Sequence, residues 1–165
     1  MYLIFVVVVL LFFSGCGDPD PDGGNSIGGK GSCVYAANQV RVIGLTSINP
    51  NPNSGSSAVI SAYVGLHDSF DTSIKGPGVF RFELYEYVPR TVDRKGKRLY
   101  SWPDIDLNDA TENNNYWKDF LRAYNFTLNT GIDPNLPGTY VLQVTCVMPS
   151  GKRLTDVFYL NVKKS

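Results

Sequence analysis

Apolar and polar residues alternate with a period of two along most of the chain after residue 39, and this pattern constrains the fold more than any other feature. Ala58, Ile60, Ala62, Val64 and Leu66 form one such series. Successive side chains of a β-strand point to opposite faces, so the series predicts a strand with one buried face. The same reasoning predicts seven strands, at residues 40–43, 58–66, 80–84, 97–102, 120–128, 140–148 and 154–162.

Turn residues separate the predicted strands and leave little room for helices. Residues 93–96, DRKG, are typical of a hairpin tip, and residues 149–152, PSGK, form a short turn before the last strand. Residues 109–119 can hold a turn or two of helix, with Glu112 in its first turn. Seven short strands in about 130 residues predict an all-β fold, an antiparallel seven-stranded β-sandwich.

A proline-glycine turn followed by a tyrosine-containing strand lies at residues 136–144, LPGTYVLQV. This segment resembles the entry to the sixth strand of immunoglobulin-like and fibronectin type III domains, where a tyrosine at the strand start hydrogen-bonds back to the preceding turn. Tyr140 stands at the position of that tyrosine. The resemblance implies an immunoglobulin-like β-sandwich for a domain spanning residues 33–165.

At the N-terminus, an apolar run is followed directly by two small residues and a cysteine. Residues 2–13 are twelve consecutive apolar residues. That is too few for a bilayer-spanning helix, which needs about 20, but it matches the apolar part of a signal peptide. The small residues then precede Cys16, with Phe13 where leucine is usual. The segment resembles the lipobox of bacterial lipoproteins, which implies a signal peptide at residues 1–15 and a lipid on Cys16. A plain hydrophobic anchor or a misassigned start are the alternatives.

The segment that begins at that cysteine, residues 16–32, has the composition of a flexible tether. It is rich in Asp, Pro, Gly, Asn and Ser, which cannot bury enough apolar surface to fold. Asp18, Asp20 and Asp22 are spaced like the first ligands of a calcium-binding EF-hand loop. The twelfth position of such a loop needs glutamate and is Gly29 here, so the calcium interpretation fails.

The anchor also predicts where the protein is located. A lipid on Cys16 makes a membrane its first partner, in a bacterial cell envelope. Gly17 stands where the common inner-membrane retention signal has aspartate, which favours the outer membrane, facing the periplasm or the cell surface. The whole chain looks like small uncharacterised bacterial lipoproteins with a sandwich domain, and that family implies no activity.

Two cysteines remain once Cys16 is assigned to the lipid. Cys33 and Cys146 form an even pair in an oxidising compartment and are a candidate disulfide. Cys146 also alternates with Leu142 and Val144 on a face that the pattern predicts to be buried. A simple buried thiol is therefore the alternative for Cys146.

Charge and histidine content exclude several classes of function. The net charge is zero and the basic residues form no long stripe, so we expect no nucleic-acid partner. His67 is the single histidine, which excludes metal sites that need two. Asp68 and Ser69 follow it directly and cannot converge on it as a catalytic triad does. We therefore predict a protein that is not an enzyme and holds no cofactor or metal.

An acidic loop bordered by tryptophans is the preferred candidate for binding. Its candidate residues are Trp102, Asp104, Asp106 and Trp117. The two tryptophans can be stacking surfaces for a sugar, or lids over the core of the sandwich.

The acidic residues of the same loop leave further alternatives open. Asp104, Asp106 and Asn108 could offer oxygens to calcium, although Asp109 stands where an EF-hand needs glycine. Carboxylates of the loop could also flank a glycosidic bond, as in a hydrolase. A solvated polar loop is the structural alternative to both.

A basic hairpin lies earlier in the chain, at residues 89–99. It carries five basic residues and one acidic residue. The hairpin is either a charged tip that keeps a sheet edge soluble or a patch for an anionic surface or partner. Its position predicts that it leaves the sandwich at the end opposite to the acidic loop.

Together these features predict a non-catalytic, lipid-anchored envelope protein that acts as a binding or structural accessory module. Its partner beyond the membrane would be an envelope protein or a glycan. The alternatives are a carbohydrate-binding domain that uses Trp102 and Trp117, and a hydrolase that uses carboxylates of the acidic loop.

The lipid anchor can be tested by replacing the cysteine that would carry it. We expect Cys16→Ser to leave an unprocessed precursor that incorporates no labelled fatty acid, because the thiol is the acceptor. The free energy of unfolding of the domain should not change, since the tether contributes nothing to its core. Equal fatty-acid labelling of the wild type and the variant would contradict the prediction.

Overall fold

The computed structural model describes residues 35–90, 92–135 and 137–162, without the side chains of residues 54–56. The chain divides into two units, Met1–Gly31 and Ser32–Ser165, and all described residues belong to the second. The predictions for the signal peptide, for the tether with Cys16 and for Cys33 lie outside the described residues. No helix among the described residues is long and apolar enough to cross a membrane.

The regular secondary structure of the described residues is mostly β-strand, arranged in two antiparallel sheets. Its strands are β1 (Gln39–Val42), β2 (Ser47–Asn51), β3 (Ser54–His67), β4 (Ser73–Ile74), β5 (Val79–Tyr87), β6 (Lys95–Ser101), β7 (Ile105–Asp106), β8 (Trp117–Lys118), β9 (Ala123–Asn129), β10 (Gly138–Val147) and β11 (Arg153–Val162). One helix, α1 (Ala110–Tyr116), lies between β7 and β8 in this part of the chain. The all-β, two-sheet prediction is confirmed.

The strands divide between the sheets in a simple order. The first sheet runs β1-β3-β9-β8, with β2 and β4 also paired to β3. The second runs β11-β10-β5-β6, with β7 paired to β5. The two sheets share one core, because inward-facing residues of β3, β5, β9 and β10 belong to a single buried apolar cluster.

Each of the seven predicted strands overlaps an observed strand, and four short strands were not predicted. These are β2, β4, β7 and β8, which have two to five residues each. Segments of that length are too short to show an alternating pattern. They are held in place by their neighbours β3, β5 and β9.

The prediction for the fifth strand was wrong at its start. The strand β9 begins at Ala123, whereas Phe120 lies in the preceding turn and is 86% exposed. Arg122 has a left-handed backbone with φ of 50°, which breaks the extended conformation that a strand needs. The alternation at 120–122 was therefore coincidental, and only Tyr124, Phe126 and Leu128 face the core.

Aromatic rings from both sheets meet at the centre of the core. The ring of Phe126 in β9 lies 5.1 Å from that of Phe80 and 4.7 Å from that of Phe82, both in β5. All three side chains are fully buried. Replacing such a ring by alanine typically costs about 3–5 kcal/mol of unfolding free energy. This contact therefore holds the two sheets together.

A buried polar network joins the core to the segments around the helix. The Tyr124 hydroxyl donates to Asn113 Oδ1 (3.0 Å) or Gly76 O (2.9 Å) and accepts from Gly76 N (3.0 Å). Asn113 Nδ2 donates to Gly76 O and to Leu107 O, each at 2.9 Å. One tyrosine hydroxyl and one amide thus fix α1 and the strand entry at residue 76 against the first sheet.

The resemblance to immunoglobulin-like domains predicted that a different tyrosine, Tyr140, hydrogen-bonds back to the turn before its strand. Tyr140 Oη has no hydrogen bond to any described residue, and its ring lies against Gly138, where an added Cβ would come within 2.9 Å of the hydroxyl. The hydroxyls of Tyr124 in β9 and Tyr100 in β6 bind backbone instead, at Gly76 and Gly131 respectively. Residue type and strand position did not reveal this, because the partner loop is far away in sequence.

The two tyrosines form a matched pair for testing the polar network. We expect Tyr124→Phe to lower the free energy of unfolding by about 1–3 kcal/mol, because Asn113 Oδ1 and Gly76 N lose a buried partner. Tyr140→Phe should change it by less than about 0.5 kcal/mol. Urea unfolding of both variants measures the difference, and equal effects would show that the network does not stabilise the fold.

Candidate functional site

Three of the four carboxylates of the predicted acidic loop, those of Asp104, Asp106 and Asp109, are engaged by other groups of the protein. Asp104 forms a two-pronged ion pair with Arg81 of β5, with N–O distances of 2.9 and 2.8 Å. The hydrogen bond from Arg81 holds the pKa of the Asp104 carboxyl below its usual value. The Asp104 carboxylate is therefore paired with a cation of the second sheet.

The next two acids of the loop shape its backbone. Asp106 Oδ1 accepts from the backbone N (2.9 Å) and the Nδ2 (2.7 Å) of Asn108, which forms a tight turn. Asp109 Oδ1 accepts from the N–H groups of Thr111 (2.9 Å) and Glu112 (3.0 Å) and so caps α1 at its N-terminus. Among the described residues, no three His, Cys, Asp or Glu side chains are grouped as they would be to hold a metal.

The two tryptophans that border the loop are half-buried and pack against the core. Trp102 Nε1 donates to Asn129 O at 2.8 Å, and its ring stacks on Tyr100 with an interplanar angle of 22°. Trp117 Nε1 donates to Asp119 Oδ1 at 2.8 Å, and its ring meets Tyr124 edge-on at 5.0 Å. Both indoles therefore act at least in part as lids of the sandwich.

The structure does not bring the four predicted site residues together. Trp117 lies in β8 of the first sheet, whereas Trp102 follows β6 of the second. No hydrogen bond, ion pair or ring contact within the described part of the chain joins any two of Trp102, Asp104, Asp106 and Trp117. The loop provides several separate contacts with the scaffold, and these residues do not form one convergent site.

His67 lies beside a hydrogen-bonded turn, and Cys146 lies in the core. His67 Nδ1 lies 3.3 Å from Asp71 O, and the Asp68 carboxylate accepts from the N–H groups of Phe70 and Thr72. Cys146 is a free, fully buried thiol, and burial raises its pKa to about 12. The buried-thiol alternative describes Cys146 in this structure. Its pairing with Cys33, which lies outside the described residues, stays a prediction.

A surface that the sequence did not indicate lies on the outer face of the second sheet. We call it the tyrosine face, and it consists of Tyr85 and Tyr87 of β5, Val141 of β10, and Val157 and Tyr159 of β11. Val141 pairs in register with Tyr85 on one side and Tyr159 on the other. It points away from the core but is fully buried, because large side chains of the neighbouring strands cover it.

Cations of the basic hairpin lie over this face. The Arg94 guanidinium is 5.8 Å from the ring centre of Tyr159, and Lys95 Nζ is 5.3 Å from that of Tyr85. Lys95 Nζ also donates to Gln143 Oε1 at 2.8 Å. These distances are within the range of cation–π attraction, so the positive groups and the aromatic rings form one continuous surface.

The tyrosine face remains open to solvent and borders a groove. Tyr159 is 38% exposed and Val157 is 37% exposed. A groove of about 740 Å³ runs beside Tyr159 between β11 and β2, with Ile48 and Pro50 in its opposite wall. An extended ligand could therefore contact the aromatic face and continue into the groove.

A sequence signal for this face exists in retrospect. In FELYEY, residues 82–87, Tyr85 and Tyr87 fall on the outward positions of the strand, which alternate with the inward positions of Phe82 and Leu84. Apolar residues on both parities of a strand indicate that both faces are covered or used. Only the pairing of β5 with β10 and β11 shows that Tyr85 and Tyr159 share one face.

Comparison of the chain with protein-family models, with curated proteins and with solved structures finds no significant match.

Trp102 can be tested as a core lid rather than a ligand platform. We expect Trp102→Ala to lower the free energy of unfolding by about 3 kcal/mol, because the ring packs on the core and its N–H is bonded to Asn129 O. Trp102→Phe keeps most of the packing and should cost about 1 kcal/mol, the value of one hydrogen bond. An unchanged unfolding midpoint for Trp102→Ala would contradict the lid role and favour Trp102 as a ligand platform.

Proposed function

We propose that this chain is an exported, lipid-anchored protein whose immunoglobulin-like domain is a non-catalytic binding or structural module of the cell envelope. The strand order supports the immunoglobulin-like assignment. The first sheet, β1-β3-β9-β8, corresponds to strands A-B-E-D of that fold, and β11-β10-β5-β6 corresponds to G-F-C-C′. The lipid anchor is proposed from the N-terminal sequence pattern around Cys16, and the outer-membrane location is proposed from Gly17.

The core departs from antibody domains in one respect. Their inter-sheet disulfide has its second cysteine two residues after the corner tyrosine. Counting from Tyr140, that position is Leu142, which is fully buried here. The contacts of Phe126 with Phe80 and Phe82 supply cohesion between the sheets instead.

The observation that carries the binding proposal is the tyrosine face with its two cations. Tyrosines offer large contact areas with few rotatable bonds, and exposed Tyr and Arg side chains are enriched among the residues that dominate binding energy. Arg94 and Lys95 lie directly over the rings. Such a surface fits a partner that combines carboxylates with apolar or aromatic groups, and we propose an acidic envelope protein.

Contacts within the acidic loop argue against the alternative of a hydrolase. Asp104 is paired with Arg81, Asp106 closes a turn and Asp109 caps a helix. Among the described residues this leaves Glu112 as the acid of the loop without such a contact, whereas a glycosidase needs two carboxyl groups. A general acid or nucleophile must be free to reach a substrate. Carbohydrate binding stays a second candidate, because the stacked rings of Tyr100 and Trp102 are half-exposed.

The experiment is capture of envelope proteins by the native lipoprotein, with variants on one strand. We expect Tyr159→Ala to weaken capture at least about tenfold, equivalent to about 1.4 kcal/mol. Thr155→Ala lies on the same face and strand and is the matched control, with no change expected. Capture should also weaken as salt is raised, because the charge of the exposed Arg94 is screened.

Stability must be measured on the same variants. Tyr159→Ala uncovers Val141 and should cost no more than about 1 kcal/mol of unfolding free energy, the scale of one cross-strand pair. Unchanged capture by Tyr159→Ala, with loss of capture by Trp102→Phe, would place the site on the tryptophan side and overturn the proposal.

A further inference from the structure

Three exposed aromatic rings lie at one end of the domain. Tyr35 is 72% exposed, Phe70 is 67% exposed and Phe120 is 86% exposed. The rings of Tyr35 and Phe70 are 6.2 Å apart. Phe70 and Phe120 lie in turns, and Tyr35 lies where the chain enters the domain. All three are next to the end of β3, at His67.

Both phenylalanines are presented by turns that are internally hydrogen-bonded. The buried carboxylate of Asp68 accepts from Phe70 N at 2.8 Å and Thr72 N at 2.9 Å. In the other turn, Asp119 O accepts from Arg122 N at 3.2 Å. The turns therefore hold Phe70 and Phe120 outward instead of letting them fold back on the sheet.

One side chain ties the two turns to each other. Arg122 Nη2 donates to Ser73 O at 2.7 Å, which joins the turn before β9 to the strand β4 that follows Phe70. Asp119 is further held by the indole N–H of Trp117 at 2.8 Å. The two rings consequently belong to one connected end of the domain.

The polypeptide enters the domain at this same end. Asn38 N donates to His67 O at 2.7 Å, so the residues before β1 lie beside the end of β3. The β10–β11 turn also lies at the entry end, because Lys152 Nζ donates to Asn38 Oδ1 at 2.6 Å. The strand β5 runs from Val79, whose partner Val147 lies next to that turn, to Tyr87, which pairs with Lys95, so the basic hairpin lies at the other end. The entry and the hairpin are separated by the length of β5, nine residues or about 30 Å.

We infer that this aromatic end is a membrane-docking surface, in which Phe70, Phe120 and Tyr35 insert among the lipid headgroups of the bilayer that carries the anchor. The inference rests on the lipid anchor of the proposed function. Tyr35, the first described residue, carries one of these rings, and the apolar segment and the predicted tether precede it in the sequence. That position favours the bilayer as the occupant over a second copy of the chain or a separate protein.

Because the tether would already hold the domain near the bilayer, a surface with weak affinity for lipid is enough for docking. A chain fixed to the bilayer at Cys16 meets that bilayer in an effectively intramolecular step, with an effective concentration set by the tether length. Aromatic side chains such as Phe and Tyr are favoured in the interfacial region. Docking at this end would direct the basic hairpin and the adjoining tyrosine face away from the anchoring membrane.

Tryptophan substitution at the exposed rings tests the docking. We would place the full-length acylated protein in vesicles of phosphatidylethanolamine and phosphatidylglycerol, with and without lipids brominated near the carbonyl groups. Phe70→Trp and Phe120→Trp should each lose fluorescence in the brominated vesicles, relative to the unsubstituted protein. Val92→Trp is the matched control, because Val92 is fully exposed at the tip of the basic hairpin, and it should keep its intensity.

The outcomes separate this inference from the proposed anchor. Fatty-acid labelling of the same samples reports the anchor, and unchanged unfolding midpoints report intact folds. Acylated, folded variants that are all unquenched would show that the domain stays clear of the bilayer. Equal quenching of Val92→Trp and Phe120→Trp would show that it lies on the membrane without a preferred end. Either result would overturn the docking surface and leave the anchor standing.

Discussion

The structure depends above all on the packing of Phe126 against Phe80 and Phe82 across the two sheets. These rings come from β9 and β5, which lie in different sheets. The ring of Tyr116 in α1 packs on the same cluster, with its centre 5.2 Å from that of the Phe126 ring. Because a ring cluster of this kind is close-packed, it sets both the separation of the sheets and the position of the helix. The alternation on each strand then determines which side chains remain for the outer faces.

Hydrogen bonds from polar side chains fix the loops to the strands that surround this core. The Tyr124 hydroxyl and Asn113 bind the backbone at Gly76, and Arg122 binds the backbone of Ser73. Each is a side chain of one segment that satisfies the backbone of a distant one. Asp68 acts within its own turn in the same way. Loops that would otherwise be held only at their ends are thereby fixed, and so are the exposed rings they present.

The fixed loops and the two outer faces make the domain different at its two ends. The end where the chain enters displays aromatic rings, whereas the other end displays the basic hairpin, with Arg94 and Lys95 over the tyrosine face. A domain held at one end and recognised at the other needs this asymmetry. The proposed envelope role and the proposed membrane docking therefore use different surfaces and do not compete. The acidic loop, with Asp104 bound to Arg81, supports the second sheet.

The sequence by itself determined the strands with a strictly alternating pattern, because burial of one face leaves a direct trace at every second residue. It also located α1, which lies within the predicted residues 109–119 and has Glu112 in its first turn, as expected. Only the tertiary structure decided which residues serve as ligands, lids or surfaces. Phe120 continues an alternation in sequence but is exposed in space, and Tyr85 and Tyr159 become neighbours only across β10. These relations depend on pairing between segments that are distant in the chain, and local periodicity contains no information about such pairing.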